Sequence, residues 1–124
     1  MNWRAFLGQV FVLSGYQVLL AEDGPEALLL WQQNLRQINL LYTDMVLPGG
    51  LSGLDLVEQM QAENPALPAI ISSGHDPEFI GLHEPTAAVF TFLKKPANIQ
   101  EITRLVSQLL PRANSPLRLI PGGL

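Results

Sequence analysis

Ile38-Asn39-Leu40-Leu41-Tyr42-Thr43-Asp44-Met45-Val46-Leu47-Pro48-Gly49-Gly50 carries the architecture of this chain. Residues 38 to 42 are nearly continuously apolar, the composition of a strand covered on both faces, and Pro48-Gly49-Gly50 marks a loop. A carboxylate, Asp44, therefore stands where a buried strand runs into a loop. By itself such an aspartate is more often an ordinary loop residue than a reactive one.

Working outward, Ser52 with Asp55 three residues on has the form of a capping box, opening a helix through Leu54, Leu56, Val57 and Met60 that Asn64-Pro65 ends. Ala69 to Gly74 reads as a strand, Asp76-Pro77-Glu78 as the start of a short helix, and Ala88 to Lys94 as the last strand. Asn98 with Glu101 caps a final helix holding Ile102, Leu105, Val106, Leu109 and Leu110. Upstream, Asp23-Pro25-Glu26 caps a helix to about Asn34, preceded by a short strand over Gln17 to Ala21. Trp3, Phe6, Leu7, Val10 and Leu13 fall at helical spacing, although Val10 to Leu13, Ser14-Gly15 and Tyr16 to Leu20 also fit a hairpin. From Pro111 onward, prolines and a double glycine predict a tail, giving one domain over 1–110 and a tail over 111–124.

Alternating helices and strands predict an α/β fold with a parallel sheet and helices on both faces, a three-layer α/β/α arrangement. Apolar residues are 48% of the chain and charged residues 15%, which excludes wholesale disorder. A net charge of −4 with seven basic residues leaves no basic stripe, so no nucleic-acid partner is expected. No run approaches the ~20 apolar residues of a membrane span, so no membrane association and a cytoplasmic location are expected. There is no cysteine, and His75 and His83 lack companions for a zinc site.

In an open parallel sheet, functional groups gather at the carboxyl ends of the strands. Those ends offer Glu22 and Asp23, then Thr43 and Asp44, then Ser73 and Gly74, then Lys94, Lys95 and Pro96. A carboxylate, a hydroxyl and an ammonium from separate strands are a set able to hold a phosphoryl group. Ser73 and Lys95 would otherwise be a strand-end serine and an exposed lysine.

Leu41 to Gly50 with Ser52-Gly53, Ile71-Ser72-Ser73-Gly74 and Phe92-Leu93-Lys94-Lys95-Pro96, in this order and spacing, resemble three segments of response-regulator receiver domains over about Trp3 to Leu110. The resemblance implies a flavodoxin-like, doubly wound sheet of strand order 2-1-3-4-5. It implies that Asp44 accepts a phosphoryl group from a phosphohistidine on a histidine kinase or histidine phosphotransfer protein in a two-component phosphorelay. Met45 through its backbone N–H, Ser73 and Lys95 would contact that group, Ser73 and Phe92 would act as switch residues, and the peptide before Pro96 would be cis. Asp44 and the Val46 carbonyl would help hold Mg2+.

The family's apolar first strand and its acidic pair have no counterpart ahead of the first helix, so the resemblance implies a receiver with an incomplete magnesium site. Two strand edges would then lie unpaired in mid-sheet. The strand near Val18 could slide across, a second chain could donate a strand through homodimerisation or strand exchange, or the chain could be a truncated product. Glu22 and Asp23 are candidates for replacement metal ligands, but both also suit a turn and a helix cap. The alternative function is a degenerate pseudo-receiver that binds partners without phosphorylation. A small enzyme of the same architecture is disfavoured because no independent base or water-activating set is present.

Overall fold

A computed structural model of the chain describes residues 3–13, 16–34, 37–47, 50–74, 89–95, 98–109 and 118–122, the last of these as backbone. The elements in chain order are α1 (Trp3–Leu13), β1 (Gln17–Val18), α2 (Gly24–Gln33), β2 (Leu40–Asp44), α3 (Gly53–Glu63), β3 (Ala69–Ser73), β4 (Thr91–Lys94), α4 (Ile99–Leu109) and β5 (Arg118–Gly122). The N-terminal segment is thus a helix rather than half of a hairpin. The expected helix near Asp76, His75, His83 and Pro96 lie outside the described residues.

Helix starts follow their capping chemistry. Asp23 accepts the Glu26 N–H at 2.8 Å, and Glu26 Oε1 accepts the Glu22 N–H at 3.1 Å. Ser52 and Asp55 form the reciprocal box that their spacing predicts, with bonds of 3.0 and 2.9 Å. Asn98 accepts the Glu101 N–H at 2.8 Å.

Two apolar layers enclose the sheet. On one face, Ala27 and Trp31 of α2 and Leu56, Val57 and Met60 of α3 pack over Leu41 and Ile71. On the other, Leu7 and Phe11 of α1 and Ile102 and Val106 of α4 pack over Leu40, Tyr42 and Ile70. Alternation along β2 sends successive side chains to opposite layers, which is why the whole strand is apolar until Thr43.

The sheet is five-stranded and parallel, in the order β1-β5-β2-β3-β4. This corrects the expectation of unpaired edges in mid-sheet. Arg118–Gly122, within the segment read as a tail, lies between β1 and β2. It pairs Leu119 to Gly122 with Leu40 to Thr43, and Arg118 and Leu119 with Gln17 and Val18. The strand near Val18 does not slide onto β2; residues 118–122 of the chain lie between the two. The physical reason is the burial of β2, since backbone groups in so enclosed a strand must find partners, and Leu119-Ile120 supplies an extended apolar run. With β5 in the place of the family's first strand, the spatial order matches the expected one.

The approach to β4 is held from α3. The Gln61 side chain donates to the Val89 carbonyl at 2.7 Å and to Leu67 at 3.0 Å, and accepts the Val89 N–H at 2.9 Å. Gln61→Ala removes all three, and thermal melts are expected to show a loss of about 2 kcal/mol. Among the described residues no helix is long and apolar enough to cross a membrane.

Candidate functional site

Asp44 closes β2 at its carboxyl end and is 7% exposed. Two strands away, Lys95 follows β4 and reaches back across β3, placing Nζ 2.9 Å from Asp44 Oδ1. The ladder continues to the rim: the Lys95 N–H donates to the Ser73 carbonyl at 2.8 Å, and the Met45 N–H to the Ser72 carbonyl at 2.8 Å. Below the rim, Gly53 opens α3 against the Asp44 carbonyl, donating its N–H to Met45 O at 2.8 Å. The Thr43 hydroxyl donates to the same Asp44 carbonyl at 2.9 Å.

Burial raises the Asp44 pKa, while its hydrogen bond to Lys95 and the lysine's charge pull it down without cancelling the rise. The lysine side chain is 38% exposed, so water screens much of its charge. A carboxylate whose folded pKa exceeds its unfolded value favours the fold below the ordinary range, and that contribution disappears as pH rises through the folded pKa. Asp44→Asn is therefore expected to match the parent's stability in acid and to exceed it at neutral pH. The gain is read as the difference between the two melting temperatures widening from acid to neutral pH in melts run across pH. Equal melting temperatures at neutral pH would contradict this reading of the site.

The structure brings together Asp44 and Lys95 directly, and seats Ser73, 4% exposed, at the end of the intervening strand. Register puts Ser72 rather than Ser73 opposite Asp44, with Ser73 opposite Lys94. The Met45 N–H, expected to face a phosphoryl group, is engaged by Ser72, and Val46 lies on an exposed loop at 70%. Phe92 is half-buried in β4, whereas Phe90 packs on the α2/α3 side of the core. Asp23 serves as a helix cap, and β5 separates β1 from β2, so an acid beyond β1 starts about 10 Å away across two strand spacings.

Sequence reasoning passed over Tyr42 and Ser72. Burial pushes the Tyr42 hydroxyl up to about 12; its hydrogen bond to Ser72 opposes this and the Asp44 charge adds to it. The signal lay in strand alternation, which puts Tyr42 and Asp44 on one face of β2. Gly53 was also missed, because only the tertiary approach of α3 to β2 makes its lack of a side chain matter.

Magnesium held by protein carboxylates needs more than one acid or several retained waters. The described residues contain no group of three acidic or histidine side chains able to hold a metal. Asp44, already paired with Lys95, does not by itself fit the family's metal-binding set.

Comparison with known proteins agrees with this geometry. A "Cyclic di-GMP phosphodiesterase" of Thermotoga maritima is 32% identical over 102 residues, covering 82% of this chain and 26% of that protein. "Sensor kinase CckA" of Brucella abortus is 26% identical over 98 residues, covering 79% of this chain and 10% of that protein. The chain thus spans only a small part of these curated relatives. A crystal structure of a response regulator receiver domain protein from Clostridium thermocellum superposes with a TM-score of 0.76 at 25% identity, covering 88% of this chain and 86% of that one. The family described as the response regulator receiver domain matches residues 2–107, and the chain, with its flavodoxin-like parallel sheet and rim aspartate, belongs to that family of two-component signalling modules.

Proposed function

We propose that Asp44 is the phosphoacceptor of this receiver domain, taking a phosphoryl group from a phosphohistidine on a histidine kinase or histidine phosphotransfer protein in the cytoplasm. The observation that carries the reading is the buried Asp44 carboxylate at the rim with the Lys95 ammonium 2.9 Å away. In the transfer, an Asp44 oxygen forms a bond to phosphorus as the phosphorus–nitrogen bond breaks and its electron pair returns to the imidazole. Lys95 then turns from the carboxylate to a phosphoryl oxygen, so a counter-charge is present before and after the step. Ser73 supplies a hydroxyl donor, and the Met45 N–H joins it once released from Ser72. Movement of Ser73 and Phe92 would carry the change to the β4 and α4 face, where partner binding switches. No turnover of a substrate is proposed for the chain.

Incubation with acetyl phosphate and magnesium tests this on phosphate-affinity gels. The expected product is an alkali-labile adduct on the parent chain that is absent from Asp44→Asn and strongly reduced in Lys95→Ala. A parent chain that never takes up phosphate would leave a receiver that binds partners unmodified.

A further inference from the structure

We propose that Ser72 is a second hydroxyl of the acceptor site, held by Tyr42 so that its own O–H is free for an oxygen of the phosphoryl group on Asp44. The inference rests on the reading of Asp44 as phosphoacceptor and adds two residues to that site.

Asp44, Ser72 and Leu93 stand opposite one another on β2, β3 and β4, so the three side chains leave the sheet on one face. Leu93 packs into the α1/α4 layer, which fixes that face. Ser73, one residue on, stands opposite Lys94 and belongs to the other face. Neighbouring strands run about 4.8 Å apart, so Ser72 lies alongside Asp44, on the strand that the Lys95 ammonium crosses to reach the carboxylate. A phosphoryl group on Asp44 would bring three further oxygens to this place.

Ser72 is 1% exposed and Tyr42 5%, in a layer otherwise built of apolar side chains such as Leu7, Leu40, Ile70 and Val106. A buried hydroxyl pair adds little stability over apolar groups of the same shape, so stability alone does not account for this one. The Tyr42 side chain is hydrogen-bonded to Ser72. Burial pushes the phenol up to about 12, so it keeps its proton, and as the more acidic of the two hydroxyls it donates to Ser72 Oγ. The Ser72 O–H is then left to give, and a hydroxyl that already accepts a bond is polarised into a stronger donor. Neither hydroxyl loses its proton at any stage. Ser72 contacts the phosphoryl group, and Tyr42, acting through Ser72, is a positioning residue.

The test is the time course of phosphate uptake by the full-length chain from saturating acetyl phosphate and magnesium, read on phosphate-affinity gels. Ser72→Ala is expected to slow uptake about tenfold and Tyr42→Phe about threefold. The double variant is expected to be no slower than Ser72→Ala, because the phenol acts only through the serine. Uptake by Ser72→Ala at the parent's rate overturns the proposal. So does a Tyr42→Phe effect of the same size with and without Ser72, which would mark the tyrosine as a packing residue. A parent chain that takes up no phosphate sinks the phosphoacceptor reading and this inference with it, whereas a labelled parent with unaffected variants sinks this inference alone. Should Ser72→Ala fail to fold, Tyr42→Phe decides. A slower maximal rate with an unchanged apparent KM for acetyl phosphate supports the proposal, and any other result overturns it.

Discussion

Removal of residues 111–124 is expected to abolish the cooperative thermal transition and the near-ultraviolet circular dichroism of the chain. The deleted segment contains β5, whose withdrawal strips one side of Leu40 to Thr43 and the inner side of β1. In a parallel ladder alternate residues face each neighbour, so about four backbone groups of β2 lose their partners. Each unmade buried bond costs about 1–3 kcal/mol, and the sum, about 4–12 kcal/mol, reaches the whole stability of an ordinary domain. Loss of the packing of Leu40 and Tyr42 against α1 and α4 follows as the two halves of the sheet separate. A truncated chain that melts with the parent's midpoint would show that β1 closes directly onto β2, the rearrangement that the sequence left open.

Gly53→Ala is expected to be the most damaging single substitution near the site. A β-carbon at residue 53 would meet the Asp44 carbonyl oxygen deep inside van der Waals contact, and the Asp44 carbonyl carbon and Thr43 Cγ2 at 3.0 Å. The neighbours are backbone and a buried side chain, so none can swing aside. Relief requires α3 to back away from β2, which breaks the 2.8 Å bond from the Gly53 N–H to Met45. A cost of roughly 3 kcal/mol is expected in denaturant titrations, at the upper end for overpacking. Displacing the end of β2 also misplaces Asp44, so phosphate uptake from acetyl phosphate should fall along with stability. A variant as stable as the parent would mean that α3 does not sit against the Asp44 backbone as described.

Much of the architecture is local in origin and could be read along the chain. The capping pairs Asp23 with Glu26, Ser52 with Asp55 and Asn98 with Glu101 place three helix starts, because each bond spans three residues and needs no tertiary partner. The apolar runs at Leu40 and Ala69 mark buried strands for the same reason, since a strand covered on both faces has no polar side to show. Their ends then locate Asp44, Ser73 and Lys95 on one rim. In the structure Asp44 and Lys95 lie 2.9 Å apart at that rim.

What was not legible depends on groups far apart in sequence. Pro121 and Gly122 carry the local signature of a tail, and nothing within their neighbourhood contradicts it. Only the unpaired backbone of Leu40 to Thr43, some eighty residues earlier in the chain, gives Arg118–Gly122 a reason to be extended. Likewise the choice between Ser72 and Ser73 as neighbour of Asp44 is a matter of register, fixed by how β3 slides against β2 and not by either serine's surroundings in sequence. The sequence alone therefore determined the layered fold, the helix starts and the chemistry of the rim, because capping and burial patterns act over a few residues. The tertiary structure decided which strand fills the centre of the sheet, which donors surround Asp44, and how far that residue resists ionisation, because those follow from pairing and desolvation between distant segments.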